Sequence, residues 1–349
     1  MKTTIKMRKL VILLAAMFTF SVAAADELEK SYQKEFEVNK NATLHIDNQF
    51  GEIKCQNWNK NMVSIEVIVT VEARNESKAE KYLDWIEVSL SGDKNRVEGI
   101  TSLGSGHSFK DADISIDYKI MMPNTLNIDL VNKFGDIIME EIEGPVAIEL
   151  TYGDLDISAL NNEDNNIVIK FGEGDIGNLE KGEVKIEYAE LEIDGCLDVI
   201  FDTKFSELDI EKAGELEITS QYDEYNIGSA GPLDITAKFT DFEIDVQNGT
   251  FSYDFQYGEL SVDRVMNIEG KCTIENSFAD ITLSFSPEAT FSIDAETKFG
   301  ELSYPKSGFD IDHEEKGFTT HLYTGTYNGG SSSDILYIRS KNASVYLNN

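Results

Sequence analysis

Over most of the chain, apolar and polar residues alternate in short runs, the period of a β-strand with one buried face. The runs are built around a recurring triplet: an aromatic, a small residue, then an acid. It occurs eleven times, with its aromatic at Phe50, Phe134, Tyr152, Phe171, Tyr188, Phe205, Tyr222, Phe239, Tyr257, Phe278 and Phe299. From Phe134 onward successive aromatics are 18, 19, 17, 17, 17, 17, 18, 21 and 21 residues apart. Apolar residues hold fixed offsets from them. Four positions before lie Ile148, Ile167, Val184, Phe201, Ile218 and Ile235; three after lie Leu155, Leu191, Leu208, Phe242 and Leu260; five after lie Ile157, Ile193, Ile210, Ile227 and Ile244. Each unit thus holds two short strands meeting at the small residue, where the inward parity shifts by one.

A unit of about 17 residues cannot shelter its apolar face alone, so the units must stack. The pattern predicts an all-β chain, a parallel β-solenoid of right-handed β-helix-like type, with coils about 4.8 Å apart. An antiparallel meander would also alternate apolar and polar residues, but gives no reason for the same corner in every unit.

Residues 26–122 are less regular and read as an elaborated amino-terminal cap. Val63 to Val71, Ile86 to Leu90 and Ile114 to Ile120 alternate as strands. Ser77 with Glu80 reads as a capping box opening one short helix that includes Ala79, Tyr82 and Leu83. Gly104 to Ser108 reads as a loop. The solenoid proper is expected over 123–327, and 328–349 as closing strands, Ile335 to Ile338 and Val345 to Leu347. Residues 1–25 carry a basic start, an apolar run from Leu10 to Phe20 and Ala23-Ala24-Ala25, the marks of a secretory signal peptide. The expectation is an exported protein of the periplasm, outer surface or extracellular space, with no transmembrane segment in the mature chain.

Charge narrows the partners. Asp and Glu number 64 against 30 Lys and Arg, a net of −34. That excludes a phosphate-binding footprint, hence nucleic acid, and opposes adsorption to anionic lipid. It suits a cationic partner or divalent ions. An acid two positions after every aromatic would form a column in a stacked solenoid. Asp154, Glu173, Glu190, Glu207, Glu224, Asp241 and Glu259 are the candidate Ca²⁺ ligands in it, with Asp156, Asp175, Glu192, Asp209 and Glu243 two positions on. The plainer expectation is that each carboxylate accepts a backbone N–H at its corner and otherwise faces water. The aromatics are expected to be a buried ladder that holds the coils in register; the alternative is an exposed stacking platform for sugars.

Cys55 and Cys272 fall at inward positions, while Cys196 follows Gly195 in an expected turn and is read as exposed. The four histidines, His45, His107, His313 and His321, lack metal-ligand spacing. No nucleophile elbow or other catalytic constellation stands out, and no cofactor is called for.

The stretches Leu44 to Ile53, Asp117 to Pro123 and Leu126 to Ile137 resemble the bacterial "putative adhesin" β-strand-repeat family, a domain of unknown function on exported proteins. The resemblance implies a solenoid-like fold and an envelope or surface location, and carries over no catalytic residue. The family's corner glycine is replaced at several units, as at Asp223 and Thr240. The function expected is a non-enzymatic, adhesin-like cell-envelope protein that meets a protein or glycan partner through an extended acidic surface. The alternatives are a carbohydrate-active enzyme or a cation-binding structural module on the same scaffold.

Overall fold

A computed structural model describes residues 27–104, 108–330 and 333–349. The proposed signal segment, His107 and part of the expected 104–108 loop lie outside the described residues. The described residues are 71% strand with one helix, and their coils stack in parallel as a β-solenoid. Each coil contributes two strands, one before and one after its aromatic corner. Residues one repeat apart are direct partners, so Ile193, Ile210, Ile227 and Ile244 pair in succession along one face. Val184, Phe201, Ile218 and Ile235 do the same on the other. All these side chains are buried, and their rows form the core.

The corner differs from the glycine-based turn that the triplet suggests. At all eleven corners the aromatic itself takes the left-handed conformation, with φ between 54° and 64°. That backbone costs an L-residue about 1–2 kcal/mol. It leaves the aromatic and the residue before it both facing outward, and turns the small residue inward. Smallness is then a packing requirement. A Cβ on Gly153 would lie 2.2 Å from the Gly135 carbonyl oxygen.

Where the corner is not glycine, the neighbouring coils adapt together. Ala189, Ser206, Asp223 and Thr240 follow one another, all buried. Asp223 accepts from the backbone N–H of Ser206 and Gln221, both at 2.8 Å, and from the hydroxyls of Thr203 at 2.7 Å and Ser220 at 2.6 Å. The substitution of glycine there is a satisfied polar cluster.

Both ends of the stack depart from chain order. The Phe50 coil, Thr43–Gln49 with Ile53–Asn57, lies between the coil of Arg96–Leu103 with Ala112–Met122 and the coil of Asn127–Lys133 with Ile137–Ile142. Antiparallel strands Glu27–Glu37, Met62–Ala73 and Ile86–Gly92 finish this end. The helix Glu76–Leu83 buries Ala79, Tyr82 and Leu83 as expected, but its cap is Asn75, whose side chain accepts from Lys78 N–H, and not Ser77.

At the far end, Ile335–Lys341 and Val345–Asn348 do not close the rod. They lie inside it, between the Phe278 coil and the Phe299 coil. Closure falls to the antiparallel hairpin Phe309–Lys316 with Thr320–Tyr327. The inserted coil obeys the corner rule with a different residue: Asn342 takes φ 56° in the aromatic's place, followed by the small Ala343.

Candidate functional site

The left-handed corners set the main surface feature. The ladder expected to be buried is exposed. Ten rings from Phe50 to Phe278 stack in one unbroken column, with centroids 4.7–5.2 Å apart and planes within 10° of parallel. From Phe134 to Phe278 each ring is 41–50% exposed. The stacking covers ring faces with ring faces. A molecule lying along the column meets ring edges, so the sugar platform, which needs open faces, is not what this column offers. Ring edges carry the positive side of the aromatic quadrupole.

The stacking is worth about 0.5–1.5 kcal/mol per pair. Phe205→Ala loses two such pairs and keeps the left-handed strain. Phe205→Gly loses the same pairs and none of the strain remains. The glycine variant is therefore expected to unfold at higher denaturant than the alanine variant, by about 1 kcal/mol, the reverse of the usual order in strands. Equal midpoints would mean that the corner is not strained.

The acid row runs beside the rings, and its members divide by length. Aspartates reach forward to the next coil: Asp136 accepts from Asp154 N–H, Asp154 from Glu173 N–H, and Asp241 from Glu259 N–H, at 2.8–3.1 Å. In the run of non-glycine corners the corresponding N–H groups of Glu190, Glu207, Glu224 and Asp241 bond instead to the preceding coil's corner carbonyl. The carboxylates of Glu190, Glu207 and Glu224 are left to solvent beside one another. The single expectation of a carboxylate bonded at every corner therefore fits the aspartates and not these glutamates. Among the described residues no three His, Cys, Asp or Glu side chains converge as an ion-holding group.

The Glu207 carboxyl is pushed above the usual carboxylate range, first by partial loss of solvent and then by repulsion from Glu224, Glu190 and Asp209. A raised carboxyl pKa means that its contribution stabilises the fold at low pH and is lost as pH rises through the folded value. Glu207→Gln should accordingly melt above the parent at pH 7, with the gap closing towards pH 4. A gap independent of pH would remove charge repulsion as its cause.

Rings Tyr188, Phe205, Tyr222 and Phe239 and the adjoining acids border an open groove of about 900 Å³. The residues just before the aromatics run along the other side of the ring column, outside that groove. There Lys133, Lys170, Lys204 and Lys238 alternate with Thr151, Glu187 and Gln221. Lys170 reaches the Glu187 carboxylate at 3.2 Å. The column is a zwitterionic strip: acids on one side, lysines on the other, rings between.

The cysteines lie elsewhere and are all buried and free. Cys196, expected at an exposed turn, points into the core from strand Glu190–Lys204, and burial pushes its thiol up to about 12. Cys55 is likewise pushed up to about 12 by burial. His45 pairs with Asp129 at 2.8 Å, a link between neighbouring coils.

The chain shows low similarity to several solved structures. A "putative cell adhesion protein" from Clostridium sporogenes is similar at 12% identity, over 92% of this chain and 99% of that one, with a TM-score of 0.19. A "putative adhesin" from Parabacteroides merdae is similar at 10% identity, over 72% and 95%, with a TM-score of 0.29. A "putative lipid binding protein" from Parabacteroides distasonis is similar at 12% identity, over 91% and 97%, with a TM-score of 0.26. No family model matches the sequence, and no curated protein matches it. The fold assignment rests on the chain's own strand pairing.

Proposed function

We propose that this chain is an exported, non-enzymatic, adhesin-like protein of the bacterial cell envelope that binds a protein or glycan partner along its solenoid. The observation that carries the reading is the exposed ring column. Rings from Phe134 to Phe278, each close to half exposed, form a continuous apolar strip on a strongly acidic surface. Contiguous apolar strips of this kind mark interaction surfaces. They sit at corners held between paired strands, so a partner pays little ordering entropy on the protein's side. The groove beside the column is shallow and open along its length, which suits a long partner better than a small substrate held away from water. Among the described residues no helix is long and apolar enough to cross a membrane.

The test uses the protein lacking residues 1–25, with and without Phe205→Ser, Tyr222→Ser and Phe239→Ser together. Labelled protein is added to intact bacterial cells and to immobilised envelope glycans. The expected result is saturable binding that falls at least tenfold in the triple variant, while its strand circular dichroism is retained. Equal binding by both proteins would remove the column as the adhesive surface. Hydrolysis of any of those glycans by the parent protein would overturn the non-enzymatic reading.

A further inference from the structure

The ring column ends at Phe278 for a definable reason. The next coil in the stack is the inserted carboxyl-terminal one, and it carries Asn342 where the others carry a ring. Its strand pairs Lys341 with Ser277 on one side and with Lys298 on the other. Asn342 N–H donates to the Lys298 carbonyl oxygen at 2.8 Å, as the corners from Phe50 to Tyr222 donate to the next coil in the stack. Phe299 follows on the far side. Phe278 and Phe299 are therefore two strand spacings apart, roughly 9.6 Å. Within the column one ring occupies one such spacing, with neighbours 4.7–5.2 Å away on both sides. The gap is one flat ring thick. It is also the place along the row where two successive rings are separated by a coil whose corner carries no ring. Phe299 is 59% exposed and Phe278 50%, the two highest values in the row.

The charge at its rim is unusual for this molecule. In the row before the aromatics, each lysine from Lys133 to Lys238 lies opposite Gln, Thr or Glu. Beside the gap Lys298 and Lys341 lie directly opposite each other. Like charges so placed repel, and an anion between them would relieve that. Lys298 Nζ stands over the Phe299 ring, 5.9 Å from its centroid. The two lysines also line a depression of about 270 Å³ beside it, with Asp254, Glu275, Glu296 and Arg339, the last paired to Asp294 at 2.9 Å and Glu296 at 3.7 Å, which leaves the two lysines as its unpaired cations among the described residues. The opposite rim bears Asp280 and Glu301 with Ser344 between them, so an anionic group is directed to the lysine side.

From this geometry we infer that the gap between Phe278 and Phe299 binds one flat aromatic ring bearing an anionic group, the ring stacked as the missing rung and the anion between Lys298 and Lys341. The site shares only Phe278 with the end of the adhesive strip and does not depend on that reading.

The probe is naphthalene-2-sulfonate, titrated into the full mature chain and followed by ligand fluorescence. The neutral 2-naphthalenemethanol and methyl β-glucoside are the comparison ligands. Saturable binding of the sulfonate, at least fivefold tighter than the neutral ring, is expected, with no measurable binding of the glucoside. Asn342→Phe fills the gap and should lower sulfonate affinity at least tenfold without lowering the melting temperature. Should that variant misfold, Phe299→Leu removes one stacking face and should weaken both naphthalenes together. Lys298→Gln with Lys341→Gln should erase the preference for the sulfonate and leave the neutral ring unchanged. The Phe205, Tyr222 and Phe239 triple variant should bind the probe as the parent does, which separates this site from the strip. Unchanged sulfonate binding in a folded Asn342→Phe protein, or in Phe299→Leu, would overturn the assignment. So would equal affinity for the neutral ring in the parent, or tighter binding of the glucoside.

Discussion

Removal of residues 331–349 is expected to destroy the carboxyl-terminal third of the solenoid. Strands Ile335–Lys341 and Val345–Asn348 fill the space between the Phe278 and Phe299 coils and pair with both. Leu336, Ile338, Val345 and Leu347 are no more than 1% exposed. Each such side chain contributes about 1.5–3 kcal/mol by burial. Without them the strands Lys271–Phe285 and Phe291–Lys298 lose their common neighbour and present open edges, which template aggregation. The expected result is a protein that is insoluble, or that keeps only the coils before Lys271, since a stacked array loses order locally. Limited proteolysis followed by mass measurement would show the new boundary. A truncated chain that melts within about 2 °C of the parent would mean that these strands merely cover an end.

Asp223→Ala is expected to be the most damaging single substitution at a corner. The carboxylate is buried and accepts four hydrogen bonds. Two donors can turn elsewhere, since the Thr203 hydroxyl lies 2.8 Å from the Tyr225 hydroxyl and the Ser220 hydroxyl 2.9 Å from that of Thr240. The backbone N–H groups of Ser206 and Gln221 cannot. Leaving both buried and unpaired costs about 2–5 kcal/mol. Asp223→Ser should cost less, because Ser206 serves the equivalent corner one coil earlier and its hydroxyl lies 3.4 Å from Ala189 N–H. Urea unfolding of the three proteins checks the order: parent, then serine, then alanine. An alanine variant as stable as the parent would show that Asp223 is hydrated and not a buried acceptor.

The parts of this fold that could be read from sequence are those fixed by period. Ile193, Ile210, Ile227 and Ile244 recur at 17 residues because each sits on the one before it. The exposure of the rings followed from the same rows but was hidden by the assumption that bulky aromatics turn inward. Positions three and five after the aromatic are buried, so position one shares their face. It is always small, and it is buried at Ala189, Ser206, Asp223 and Thr240. The residue before an inward one must face out, and that residue is the aromatic. Cys196 misled in the opposite way: Gly195 suggested a turn, but both residues belong to a continuous strand and the cysteine follows the inward parity. The difference between Asp and Glu in the acid row was also written in the sequence. Only the geometry of the next coil shows that the shorter side chain caps its N–H.

The insertion of the last coil had a local signature and no local cause. Ile338, Ser340, Asn342, Ala343, Val345 and Leu347 match the repeat in every inward position, with asparagine as the one change. Asparagine tolerates the left-handed conformation better than most residues, so the corner survives without its ring. Nothing in those residues states which coils they join. That choice belongs to the pairing of distant strands, as does the place of the Phe50 coil at the other end.

The stacking of coils one repeat apart is tested most directly by engineered cross-linking. Glu217 and Asp234 are exposed direct partners on neighbouring parallel strands, whereas Thr236 lies two residues further along. Strands about 4.8 Å apart are within disulfide reach, and a two-residue offset is not. Under mild oxidation Glu217→Cys with Asp234→Cys should close an intrachain disulfide nearly completely, while Glu217→Cys with Thr236→Cys should stay reduced. The opposite result, or no bond in either protein, would contradict the solenoid.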